Sequence, residues 1–518
     1  MKNRMIRLLA ATLLSLAIAA LSPVRAQDAG SVLRLSVGFR TMKNSVQMDD
    51  AKRKEVEALE AQARAATGSQ KFGEAVKHYS HAIALMRNQA WTPSQAMSAA
   101  LQVKADRLIL DPGAAIKLTL SQWFALDQPI AGKLSGSLEI KNNRQGLSRE
   151  LKSLAELEAD FTKPFVIEAV LPGLPPQADL ADGDYQLALT LKPREGDPLV
   201  KSLSVRVARG LSAEAASLKS RTASVAATLK DQPALLTAMP AIEYAASMID
   251  LVNAGEIAVT SDVKGAITHA NIALNQLAKG QHPLKTRRGD IHWAYRSTVD
   301  NTLQPYRVFV PADYEPTRKW PLVVALHGMG GDENSFFNGY DNGVIKRIAQ
   351  ERGYLVVCPK GRQPASMYLA TAEKDVIDVL AEVKRDYAID ADRVYLMGHS
   401  MGGYGTWSVS TNHPDLFAAL APFAGGGLPP VMMKLPAIKH IPWIVVHGDA
   451  DPTVSVEESR KMVKAGKELG IKIKYIEVAG GNHSNIVVPN IPAIFDWFEM
   501  HKRLPAPAVK AAGSGQEK

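Results

Sequence analysis

The spacing of apolar residues changes character along the 518 residues. A continuous apolar run at 8–21 comes first. Over 46–104 the spacing is helical: Val56, Leu59 and Ala63 begin one amphipathic run, and Phe72, Ala75, Val76, Tyr79, Ile83 and Met86 continue a second. Over 113–208 the period becomes two, as in Ile116-Lys117-Leu118-Thr119-Leu120 and in 134–140, 185–191 and 203–207, with 165–170 as a further strand. Short strands with one polar face predict a small β-sandwich domain. Residues 212–283 return to Ala- and Leu-rich helix and read as a helical linker region. Strands resume near His292 with a hairpin around Asp300-Asn301-Thr302-Leu303. From there apolar runs at 322–326, 354–358, 394–397, 418–423, 443–446 and 473–478 alternate with helical stretches at 344–352, 372–384, 404–411, 456–469 and 491–501. Strands apolar on both faces need helices on both sides, so 289–503 predicts an α/β domain with a doubly wound, mostly parallel sheet. Its functional groups belong beyond the carboxyl ends of the strands. Residues 504–518 read as a flexible tail.

Composition narrows the setting. The chain has one cysteine, Cys358, in an apolar run. That excludes an intrachain disulfide and a thiolate metal site and predicts a buried structural thiol. Lys2, Arg4 and Arg7 precede the 14-residue apolar run, and Val24-Arg25-Ala26 offers small residues after it. Residues 1–26 therefore read as a secretory signal peptide cut after Ala26, and the mature protein is expected outside the cytoplasm, periplasmic or extracellular. No membrane anchor and no lipidation are expected. The formal charge of +9 falls to +5 without Lys2, Arg4, Arg7 and Arg25. The remaining basic residues are scattered and not interleaved with aromatics, which excludes a nucleic-acid surface. The stretch from Gly73 to Ala82 resembles half of a tetratricopeptide unit, but one unit cannot support a solenoid, so 46–104 reads as a helical hairpin region.

The chemistry concentrates around Gly398-His399-Ser400-Met401-Gly402. An apolar strand runs into it and a helix-compatible stretch leaves it, the pattern of a serine held at the apex of a sharp turn between small neighbours. A serine hydroxyl needs a base and the base an orienting carboxylate. Asp451 and His483 each follow an apolar strand, in the order Ser, Asp, His. Asp449 competes with Asp451 but sits nearer its strand end, where it would brace the turn. His399 adjoins the serine, yet neighbouring side chains on so sharp a turn diverge. His327 is expected to brace a glycine loop, and His413 and His447 to be local structural histidines. An oxyanion hole needs two N–H groups. Met401, at the helix start, would supply one, and Met329, in His327-Gly328-Met329-Gly330-Gly331, the other. No Lys-Ser/Thr follows that loop and no G-x-G-x-x-G or H-E-x-x-H occurs, so neither a cofactor nor a metal is expected.

Together His327-Gly328-Met329-Gly330-Gly331, Gly398 to Trp407, His447-Gly448-Asp449-Ala450-Asp451 and Asn482-His483 resemble the α/β-hydrolase superfamily. The resemblance covers about 289–503 and is strongest to exported esterases related to polyhydroxybutyrate depolymerase and feruloyl esterase, near the prolyl-oligopeptidase catalytic domain and dienelactone hydrolase. It implies a nucleophile at Ser400, an acid at Asp451, a base at His483, oxyanion donors at Met329 and Met401, and no cofactor. The expected substrates are small-molecule or polymer-attached esters with short-acyl or aryl groups. Only 18 residues separate Phe423 from Pro442, too few for a large helical lid, so an open cleft walled by 360–371 and 425–440 is expected. Tyr340, Tyr368, Tyr404 and Trp407 are candidates for substrate contact or for packing. The alternatives are a serine peptidase or amidase of the prolyl-oligopeptidase type, for which no propeller repeat is visible, and a binding protein that kept the fold.

Overall fold

The computed structural model describes residues 23–171, 180–362 and 365–503. The segment read as a signal peptide lies outside these residues as far as 22, and the 504–518 tail lies outside them entirely. The chain divides into two units, one ending at Gln281 and the other beginning at His282.

The first unit opens with helices Pro23–Ser45, Asp50–Gly68, Phe72–Met86 and Pro93–Ala100. The Asp49 carboxylate accepts from Lys52 N at 2.8 Å and the Thr92 hydroxyl from Gln95 N at 3.2 Å, so side chains cap two of the four. Val56, Ala63, Phe72, Tyr79 and Phe39 share one apolar core. The strands follow: β1 (Leu101–Ala105), β2 (Ile109–Leu110), β3 (Ala115–Gln122), β4 (Lys133–Asn142), β5 (Leu147–Glu158), β6 (Phe165–Val170), β7 (Gly183–Lys192) and β8 (Leu199–Val207). They form a three-stranded sheet, β1-β3-β6, and a five-stranded sheet, β2-β8-β7-β4-β5. One core holds Ile116, Leu118 and Leu120 of the first with Leu138, Leu187, Leu189 and Val205 of the second. Two readings change at the edges. Residues 101–104, read as helix, belong to strand β1, paired antiparallel with β3. Strand β5 carries no two-residue alternation. Helices Leu211–Thr228, Met239–Asn253 and Val263–Leu277 complete the unit.

In the second unit eight strands make one sheet: β9 (Gly289–Arg296), β10 (Leu303–Val310), β11 (Trp320–Leu326), β12 (Leu355–Pro359), β13 (Ile389–His399), β14 (Ala419–Phe423), β15 (Trp443–Gly448) and β16 (Ile473–Val478). The order is β16-β15-β14-β13-β11-β12-β10-β9. All pairs are parallel except the β9–β10 hairpin and its junction with β12. Every residue of β11, β12, β14 and β15 is buried, as a sheet covered on both faces requires. On one face the helices Tyr340–Arg352 and Val487–Glu499 carry Ile345, Ile494, Phe495 and Phe498 onto Val323, Tyr395 and Val446. Cys358 lies in this core, and burial holds its thiol well above the usual range. The architecture is the α/β-hydrolase fold, a mixed central sheet flanked by helices. From β11 the chain moves to one side through β12, and from β13 to the other through β14, so the crevice between β11 and β13 is the topological switch point.

Candidate active site

Strand β13 ends at His399, and Ser400 turns the chain with φ 57° and ψ −116° before the helix Met401–Asn412 begins. A non-glycine residue there is strained and persists only where its surroundings dictate it. They do so by close approach. A Cβ at Gly402 would lie 2.0 Å from the Leu326 carbonyl oxygen at the end of β11. Ser400 N donates to Phe423 O of β14 at 2.9 Å, tying the turn to the other neighbouring strand. The Met401 N–H begins the helix and, among the described residues, has no hydrogen-bond partner, as expected at a helix start. The Met329 N–H has none either, and the residue is 43% exposed. A Cβ at the adjoining Gly328 would sit 3.5 Å from Ser400 Cβ, so the glycine loop after β11 borders the serine.

Asp451 follows β15 and His483 follows β16. A Cβ at Gly448 would meet the Gly481 carbonyl oxygen at 2.1 Å, so the two loops touch backbone to backbone. Ser400 Oγ lies 2.8 Å from His483 Nε2, and His483 Nδ1 lies 2.7 Å from Asp451 Oδ2. A carboxylate only accepts, so Nδ1 carries the imidazole proton and Nε2 is left to accept from the serine hydroxyl. The Asp451 side chain is fully buried. Burial opposes its ionisation, but hydrogen bonds from His447, His483 and Val454 N prevail and hold the carboxyl well below the usual carboxylate range. The Val454 and Thr453 amides both donate to Oδ1, at 2.9 and 2.7 Å. Chemically, this series can carry the serine proton to an imidazole whose positive charge a fixed carboxylate would balance.

Of the neighbours, Asp449, His327 and His413 stand as the sequence reading has them, and His447 does more. Asp449 accepts from Gly480 N at 2.7 Å and so braces the turn, while Asp451 is the carboxylate that His483 Nδ1 meets. His327 places its ring nitrogens 2.8 Å from the carbonyl oxygens of Gly328, within the glycine loop, and of Lys360, just after β12. His413 pairs with Glu373 at 3.0 Å. His447 is more than a local brace: besides Ser459 Oγ at 2.7 Å and Val454 O at 3.0 Å, its Nε2 lies 3.4 Å from Asp451 Oδ2. Trp407 is buried edge-on against Trp443, and Tyr368 is buried against His327, so both are packing residues. Tyr404 is half-buried. The wall at 425–440 contains a short helix, Pro429–Lys434.

Two supports of the surrounding loops carry no sequence motif. Directly opposite each other on β9 and β10, His292 and Arg307 reach the loop after β11: His292 Nε2 meets buried Glu333 at 3.0 Å, and Arg307 donates to Asn334 Oδ1 at 2.6 Å. Burial raises the Glu333 pKa, but His292 outweighs it and holds the carboxyl below its ordinary value. On the other wall Arg362 bridges Asp300 at 2.6 Å and buried Asp375 at 2.5 Å, while the Tyr295 hydroxyl donates to Asp375 at 2.6 Å.

Comparison with known proteins agrees with the fold. A model described as "Prolyl oligopeptidase family" matches residues 370–426. A bifunctional acetylxylan esterase/xylanase, XynS20E, from Neocallimastix patriciarum is 31% identical over 160 residues, 30% of this chain and 23% of that protein. The chain thus spans under a quarter of that relative. A poly(3-hydroxyoctanoate) depolymerase from Pseudomonas fluorescens is 27% identical over 266 residues, 43% of this chain and 94% of that protein. The crystal structure of a thermostable esterase aligns at 20% identity with a TM-score of 0.39, over 76% of this chain and 99% of that one. By its own architecture the second unit has the α/β-hydrolase fold, and the chain is similar at low identity to a depolymerase, to a feruloyl esterase B from Talaromyces stipitatus and, over 370–426, to the prolyl oligopeptidase family.

Proposed function

We propose that the protein is a serine hydrolase of carboxylic esters working through an acyl-enzyme, with Ser400 as nucleophile, His483 as base and Asp451 as the acid that orients it. The observation that carries this is the unbroken hydrogen-bonded series Ser400–His483–Asp451 on a strained strand-to-helix turn. His483 takes the Ser400 proton as Oγ attacks the ester carbonyl, and the oxyanion forms against the Met329 and Met401 amides. The same imidazole returns the proton to the leaving alcohol, then draws one from water to release the acid. The substrates are soluble or polymer-attached esters with short-acyl or aryl groups. Relatives named as a bifunctional acetylxylan esterase/xylanase and a poly(3-hydroxyoctanoate) depolymerase support esters borne on polymers. Export fits such substrates, and the charged start and apolar run of residues 1–26 support it.

The second reading is a serine peptidase or amidase with the same three residues, favoured by the prolyl-oligopeptidase match across 370–426. One panel separates the two: p-nitrophenyl acetate, butyrate and octanoate, methyl ferulate, and an aminoacyl anilide. The ester reading expects turnover of the acetate or of methyl ferulate and none of the anilide. Ser400→Ala should lose at least about 10³-fold in kcat, and full turnover in that variant would defeat both readings.

A further inference from the structure

His399 takes no part in the proton transfer just described, yet it is 5% exposed and fully engaged. Its Nε2 lies 2.7 Å from the backbone carbonyl oxygen of His483, and its Nδ1 lies 2.8 Å from the Tyr340 hydroxyl. A carbonyl oxygen only accepts, so Nε2 carries the proton and Nδ1 accepts from Tyr340. The two imidazoles stand 4.8 Å apart between centroids. Nothing about Tyr340 is relaxed. It opens a run of four left-handed residues, Tyr340 (φ 45°), Asp341 (58°), Asn342 (52°) and Gly343 (77°), of which Tyr340 is the bulky residue that disfavours this region. Phe336 lies against the Tyr340 ring at 4.8 Å, and the His399 ring meets it edge-on at 5.7 Å. Such strain survives where the surrounding structure over-determines it, and here it delivers one hydroxyl to one ring nitrogen.

We propose that Tyr340 and His399 form a relay that positions the base: Tyr340 holds the His399 ring, and His399 holds the His483 backbone so that its imidazole meets Ser400 and Asp451 together. The three contacts divide the work. Asp451 fixes Nδ1, Ser400 receives Nε2, and His399 fixes the main chain from which the ring projects. With that last anchor gone, the loop between β16 and the helix Val487–Glu499 can shift and carry Nε2 out of line with Oγ. A displacement of an ångström in a reacting group is enough to cost orders of magnitude in rate. Tyr340 acts only through His399. The inference rests on the hydrolase reading of Ser400 and His483.

The test is turnover of p-nitrophenyl acetate by full-length variants, expressed as kcat per site titrated with a fluorophosphonate. His399→Leu should lower kcat per site tenfold or more, with KM within twofold. His399→Gln, whose amide can still donate to the carbonyl, should recover to within about threefold of wild type. Tyr340→Phe should lower kcat about threefold, and adding it to His399→Leu should cost nothing more. A merely structural role would lower the melting temperature and the number of titratable sites but leave kcat per site unchanged. That result in His399→Leu, or independent losses in the double variant, overturns the relay. Should His399→Leu fail to fold, Tyr340→Phe decides alone, with unchanged kcat per site counting against the proposal. Ser400→Ala in parallel keeps the two readings apart. Turnover in that variant defeats the hydrolase reading, whereas a dead Ser400→Ala beside a fully active His399→Leu defeats only the relay.

Discussion

His399 links the stability of the second unit to pH, by an amount that can be worked out. Burial, reinforced by the neighbouring His483 and His447, pulls the imidazole down to about 4, although its bond to the His483 carbonyl and the charge of Asp451 act in the opposite direction. Tyr340 faces its other side through a hydrogen bond. In the unfolded chain a histidine takes up its proton near pH ~6.5. The folded value is the lower one, so the neutral ring favours the fold. That contribution is complete above the unfolded value and is lost as pH falls from there through about 4. At pH 4.5 the loss amounts to roughly 2–3 kcal/mol, since each tenfold difference in proton affinity between the folded and unfolded chain is worth about 1.4 kcal/mol. Glutamine has no proton to gain, so His399→Gln removes this contribution. The assay is urea unfolding at pH 7 and pH 4.5, followed by tryptophan fluorescence. Five of the seven tryptophans, Trp293, Trp320, Trp407, Trp443 and Trp497, lie in the second unit and report on it. Wild type should lose roughly 2–3 kcal/mol more than His399→Gln between the two conditions. Parallel losses, differing by less than about 1 kcal/mol, would refute the reasoning.

Other outcomes follow from the same geometry. Asp451→Asn keeps the shape but not the charge, and kcat should fall about 10⁴-fold. Asp449→Asn, altering a turn brace, should stay within a few-fold in the same assay, and equal losses from the two would mean the acid is misassigned. Gly402→Ala drives a methyl into the Leu326 carbonyl and should cost about 3 kcal/mol or more, read as thermal unfolding, with wild-type stability as the contrary result. Glu333→Gln removes a buried charge paired with His292 and should cost about 2 kcal/mol at pH 7. The folded value of Glu333 is the lower one, so this gap in urea midpoint should be widest above pH ~5 and close as pH falls below ~4.

How much of this can be read from the chain depends on whether a residue's partner leaves a mark in the sequence. Strands β11, β12, β14 and β15 are legible because burial on both faces demands uninterrupted apolar runs. Strand β5 is not. Its buried residues Leu154 and Leu157 are three apart, with Glu156 at φ 56° between them, so a bulge resets the alternation and the leucines space themselves as in a helix. Strand β1 continues directly from the helix Pro93–Ala100, and its five residues are too few to announce a new period. The left-handed run at Tyr340 has a faint signal in Asp341-Asn342-Gly343, the residue types that tolerate positive φ, although a helix start explains the same letters.

The site divides along the same line. Ser400, Asp451 and His483 announce themselves because their chemistry belongs to particular side chains, and the strands before them make their order meaningful. The sequence argues soundly against His399 as a base for its neighbour, since adjacent side chains on a sharp turn diverge. The divergence sends it to a backbone carbonyl, and every residue has one of those. No residue type marks His483 O as the acceptor that matters, and no spacing marks Tyr340, 59 positions away, as the donor behind it. The same holds for His292 and Arg307, whose partners Glu333 and Asn334 sit in a loop that the glycine motif explains without them. A sequence therefore discloses the atoms that react sooner than the atoms that hold them. The supports come into view only when the fold assigns each ordinary polar group a partner and a distance, and it is there that substitutions with unchanged side-chain chemistry at Ser400, Asp451 and His483 should still change the rate.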